Sequence, residues 1–147
     1  MEAIQRLRAQ REQILRELSQ VTESECRYPA SWAGLQRNVN FLLRVFSLHE
    51  LDHTQHLHKL LAGRGRSFSE AQILLAKAQA LRGELEALLL SLSEEELEAT
   101  GPRSEDWSIR QLIEHLTQTD AHYAQLVREA LERGRAEAAG ASPTPTP

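Results

Sequence analysis

Residues 39–66 read VNFLLRVFSLHELDHTQHLHKLLAGRGR, and the spacing inside this stretch decides the fold. Val39, Leu42, Phe46, His49, His53, His56 and Leu60 recur at three- and four-residue steps, which places them along one face of an α-helix. The spacing predicts a helix from about Leu35 to Ala62. Gly63-Arg64-Gly65-Arg66 ends it, because glycine accepts the left-handed conformation in which helices commonly stop.

The same reading extends outward in both directions. Ile4, Leu7, Ile14, Leu18 and Val21 form a stripe that predicts a helix over 2–21, and Ser24, Pro29 and Ser31 then break the chain. Ser67 with Glu70 reads as a capping box opening a third segment, which runs to about Leu92 with Leu74, Ala78, Leu81, Leu85 and Leu88 in register. Ser93 with Glu96 caps one extra turn before Thr100, Gly101 and Pro102 interrupt. Ser108 with Gln111 starts a fourth segment reaching about Arg135, with Ile109, Leu112, Leu116, Tyr123, Leu126 and Ala130 on its apolar stripe. The remaining tail, 136–147, offers nothing to bury and is expected to be disordered.

Amphipathic segments of this length bury their stripes against one another. The expected architecture is therefore all-α: an antiparallel four-helix bundle forming one domain over residues 1–135. His53 to Arg66 (HTQHLHKLLAGRGR) also aligns without gaps with His122 to Arg135 (HYAQLVREALERGR), so the chain reads as a pseudo-two-fold pair of helical hairpins.

Composition narrows the function. The net charge is −4 and both signs are mixed along the chain, which argues against a nucleic-acid partner, whose phosphates demand clustered Lys and Arg. Cys26 is the single cysteine, so neither an internal disulfide nor a thiolate zinc cluster forms. The charged start, MEAIQRLRAQREQ, lacks the apolar core of a signal peptide, and no run approaches the ~20 residues of a membrane span. These features predict a cytoplasmic protein with no membrane partner.

The histidines carry the chemistry. His49 and His53 lie one helical turn apart on one face, a spacing that suits a shared metal ion. With His56 they continue the apolar seam of Val39, Leu42 and Phe46, where imidazole nitrogens need partners that a metal would supply. Hydrogen-bonded seam histidines are the competing reading, and His58 falls off the seam. A third ligand must come from another segment. His115 and His122 share a face of the fourth segment but stand two turns apart, roughly 10 Å along the axis. Only one of them can bind the same ion, and spacing leaves the choice between them open.

Trp107-Ser-Ile-Arg-Gln-Leu-Ile-Glu-His115 resembles the W-[ST]-x-R-[EQ]-x-x-x-H stretch of the DinB/YfiT-like family, and His49-x-x-x-His53 with Gln55 and Leu57 resembles its second motif. The likeness covers roughly residues 35–135. It implies a four-helix bundle with a three-histidine metal site, which by position is His49, His53 and His115. The order of the two motifs is the reverse of the family's usual one, a swap that a near-two-fold bundle tolerates. His56 and His122 stand as alternative ligands.

Three neutral imidazoles leave an ion its charge and an open position, a catalytic rather than structural pattern. Zn, Ni and Fe all accept imidazole, so the ion is a divalent metal of unspecified identity. The resemblance further implies thiol chemistry: a low-molecular-weight thiol as cofactor and S-transfer on a small-molecule substrate, with hydrolysis as a variant. A homodimer is also expected. Glu50, Asp52, Glu114, Asp120 and Tyr123 are candidate helpers that would orient a ligand or move a proton, each weighed against a solvated helix face. Trp107 reads as a hydrophobic lid at a helix start, and Cys26 as no nucleophile. The competing functions are a non-catalytic interaction module and a metal-binding stress module without turnover.

Overall fold

The structure, a computed structural model, describes residues 1–103 and 105–140. The fold is all-α apart from one short hairpin, and all four long helices expected from the apolar stripes are present. The chain divides into two compact units, Met1–Ser91 and a second beginning at Leu92.

The first unit holds α1 (Glu2–Leu18), a 3-10 turn (Glu25–Arg27), β1 (Pro29–Trp32), β2 (Leu35–Asn38), α2 (Val39–Ala62) and α3 (Glu70–Leu89). The 3-10 turn is closed by the Glu25 carboxylate, which accepts from the Thr22 amide at 2.8 Å and its hydroxyl at 2.7 Å. Those two bonds hold the Glu25 carboxyl below the usual carboxylate range. Cys26 lies in this turn, half-buried and free.

The β-hairpin corrects the sequence reading, which placed Leu35 at the start of a helix. β1 and β2 pair antiparallel with Trp32 opposite Leu35 and Pro29 opposite Asn38. The reversal falls on Ala33 and Gly34, both left-handed, with φ of 51° and 78°. Two such residues in a row give the turn whose twist matches a two-residue hairpin. Phe41 then packs one turn into α2, its ring 6.4 Å from that of Trp32 and 5.1 Å from the Arg37 guanidinium. The helix itself starts later, at Asn38, whose side chain accepts from the Phe41 amide at 2.9 Å. The Val39 amide donates back to the Tyr28 carbonyl, tying hairpin to helix.

α2 ends as expected at Gly63, and Gly65 supplies a left-handed φ of 67° just beyond it. α3 opens two residues later than the Ser67/Glu70 box predicted. Its box is Ser69 with Gln72, each side chain bonded to the other's backbone amide. Both serines carry a polar residue three positions on, so the pattern alone does not separate them.

The second unit is α4 (Glu94–Glu98) and α5 (Ile109–Gly140). The expected boxes at Ser93/Glu96 and Ser108/Gln111 are both formed. Between them the chain folds tightly, with Thr100 bridged to Ser108. Asp106 accepts from the Arg103 amide, Nε and Nη2 at 3.1, 3.0 and 2.8 Å. A Cβ on Gly101 would collide with the Asp106 side chain, so this close approach demands glycine. Arg110 clamps α5 to α4 by donating to Glu98 and, at 2.7 Å, to Glu94.

α5 runs on through residues 136–140, which were expected to belong to a disordered tail; the rest of that stretch, residues 141–147, lies outside the described residues. Gly134 is helical here, while its repeat partner Gly65 is left-handed. The flanks explain the difference. Gly65 follows Gly63 and precedes Ser67-Phe-Ser69, whereas Gly134 stands among Arg, Ala and Glu, which favour helix.

Candidate metal centre

α2 carries four of the chain's six histidines. Val39, Leu42, Leu43, Val45 and Phe46 are half-buried, toward the hairpin and α1, whereas His49, His53, His56 and His58 are exposed. This corrects the expectation that the histidines continue a buried seam. The hairpin meets the start of α2, at Phe41, and Arg11 of α1 meets it at Phe46 and Glu50.

Two of the four imidazoles are brought together. The Nε2 atoms of His49 and His53 lie 3.0 Å apart, with ring centroids at 4.4 Å and the planes nearly perpendicular. Metal–imidazole bonds of ~2.0–2.1 Å at a tetrahedral angle put two nitrogens about 3.3 Å apart. The 3.0 Å separation is also hydrogen-bond distance, with the donor set by the tautomers of the two rings. The pair's spacing therefore fits half of an ion's ligand set. His56 stands farther along, 6.2 Å from His53 by ring centroid, and His58 meets Phe68 edge-on at 5.2 Å. Among the described residues no group of three or more His, Cys, Asp or Glu side chains is gathered around one point.

In the second unit His115 packs edge-on against Trp107, centroids 4.9 Å apart, and its Nε2 lies 3.5 Å from the Thr119 hydroxyl. Trp107, Gln111, Glu114, His115 and Gln118 line an open hollow of about 320 Å³. A second hollow of about 400 Å³ shares Trp107 and is walled by Leu92, Ala99 and Ile109. Trp107 thus lies against the histidine and lines both hollows. His122 lies beside Tyr123, 6.2 Å between centroids, and away from this hollow's lining.

Residues 78–146 match the family model of the mycothiol maleylpyruvate isomerase N-terminal domain. That family is helical and DinB-like, in line with the resemblance carried by the tryptophan motif. The matched stretch includes Trp107, Arg110 and His115 and excludes His49 and His53. Neither a curated protein nor a solved structure matches the chain.

The candidate helpers separate once their partners are known. Glu50 is committed to Arg11 of α1, whose Nη2 donates to it at 2.5 Å. Glu114 accepts from Gln118 at 2.6 Å on the rim of the hollow that holds His115. Asp52, Asp120 and Tyr123 are exposed. The sequence reading missed Arg11 and Thr119, because neither belongs to a metal-binding spacing. Among the described residues no helix is long and apolar enough to cross a membrane.

Proposed function

We propose that the chain binds one divalent metal ion through His49, His53 and His115 and acts as a thiol-dependent transferase on a small molecule. The observation that carries this reading is the His49–His53 pair, whose Nε2 atoms are already spaced for a common ion. His115 is the third ligand because it stands at the histidine position of the tryptophan motif, inside the stretch that matches the family model. His122 lies outside that motif.

A metal on three neutral imidazoles would supply a Lewis-acid centre with an open position for a thiolate or water. The family's name carries mycothiol, which supports a low-molecular-weight thiol as the co-reactant. The chain's own residues have simpler tasks. Trp107 presents an aromatic wall to the hollow beside His115, and Glu114 on the same rim would hold a proton near a bound substrate.

Metal analysis of the purified chain tests the proposal. The wild type should hold about one equivalent of a divalent metal, and His49→Ala, His53→Ala and His115→Ala should each lose it. A full equivalent retained in His115→Ala returns the third-ligand role to His56 or His122. A metal-free wild type that stays so after incubation with Zn, Ni and Fe(II) ends the enzyme reading.

A further inference from the structure

We infer that Arg11 of α1 is a positioning residue for the His49–His53 pair, an inference that rests on the metal reading above only for its metal arm. One guanidinium makes two contacts to the turn of α2 that carries the pair. Its Nη2 donates to the Glu50 carboxylate at 2.5 Å, and its carbon lies 5.4 Å from the centre of the Phe46 ring. Phe46 and Glu50 are one turn apart and bracket His49. The Thr54 hydroxyl donates to the Glu50 carbonyl at 2.8 Å, so the next turn, which holds His53, is tied to the same residue.

The geometry assigns two effects to this clamp. It fixes the rotation of α2 about its axis at His49, where the hairpin's hold on the first turns has ended. It also holds the Glu50 carboxylate on α1, where it cannot compete for the imidazole protons. An exposed ion pair alone contributes little, but a guanidinium that also lies over an aromatic face is held from two sides. The two contacts together are worth roughly tenfold in an equilibrium at the site they order.

The test uses the full chain labelled with 15N-histidine. Long-range 1H–15N spectra of the metal-free protein report the tautomers and the Nε2–Nε2 contact of His49 and His53, and cobalt(II) titration reports affinity and ligand field. Arg11→Ala and Glu50→Gln should both shift the His49 and His53 resonances, lower cobalt affinity about tenfold and leave His115 unmoved. Arg11→Lys should recover part of the effect, and so should the charge exchange Arg11→Glu with Glu50→Arg, which restores the ion pair but not the contact with Phe46. Glu50→Gln keeps α1 intact, so it decides the matter if Arg11→Ala unfolds. Unchanged His49 and His53 signals in Glu50→Gln overturn the inference. If wild type takes up no cobalt, the three-histidine proposal fails, while the metal-free spectra still decide the role of Arg11.

Discussion

Trp107 meets His115 edge-on, their ring centroids 4.9 Å apart. The indole is therefore an optical reporter on one proposed ligand. The chain has two tryptophans, so the measurement needs Trp32→Phe to silence the one in β1. In that background a paramagnetic ion such as cobalt(II) should quench Trp107 emission, and His115→Ala should abolish the response. Emission that stays constant while the protein saturates with cobalt removes His115 from the ligand set.

Gly34 and Gly83 should respond to alanine with opposite signs. A Cβ meets nothing within 4 Å at either position, so crowding plays no part. Gly34 has a φ of 78°, where alanine is strained by about 1–2 kcal/mol, and Gly34→Ala should lower the melting temperature. Gly83 lies inside α3, where alanine gains roughly 0.5–1 kcal/mol through backbone entropy. Thermal unfolding of both variants checks the pair, and equal shifts would contradict the hairpin turn.

The corner between α4 and α5 should loosen in acid. The carboxyl of Asp106 is held below its usual range by the Arg103 guanidinium and amide, and that of Glu96 by the Ser93 amide and hydroxyl. A depressed carboxyl stabilises the fold fully above its unfolded pKa, ~4 for both types, and that contribution is lost as pH falls through the lower folded value. Amide exchange at residues 93–108 should therefore accelerate below about pH 4, ahead of the middle of α2. Asp106→Asn should remove the Asp106 part of that pH dependence. Uniform acceleration along the chain would argue against it.

Ser108 is the one buried residue among the described residues, at 6% relative exposure, and it caps α5. Ser108→Ala removes an N-cap worth about 1 kcal/mol. Calorimetry should show a lower melting temperature, and Trp107 emission should shift because the neighbouring turn frays. Ser108→Thr keeps the hydroxyl and should fall between the two.

α3 and α5 were legible because each is written twice, once as a 3.6-residue stripe and once as a capping serine. Ser93/Glu96 and Ser108/Gln111 form as the spacing requires. Ser67 misled, because Ser69 with Gln72 offers the same chemistry two residues on. The hairpin escaped notice for a different reason. β1 and β2 have only four residues each, too few for an alternating pattern to stand out, and Ala33 gives no warning that it will adopt a positive φ. At the candidate site, the four-residue step from His49 to His53 fixed their approach in advance. The contacts of Arg11 could not be read that way, because 39 residues separate it from Glu50 and only the packing of two helices brings them together.

Three serines, at 69, 93 and 108, each close the start of a helix with a partner just three residues ahead. Such locks need no distant part of the chain, so the two long helices among these, α3 and α5, can nucleate on their own and early. The Arg11–Glu50 contact belongs to a later moment, after α1 and α2 exist as rods and can dock. On the proposed role of Arg11, a chain stalled before this docking would keep its helices while the turn carrying His49 and His53 lacked its clamp to α1.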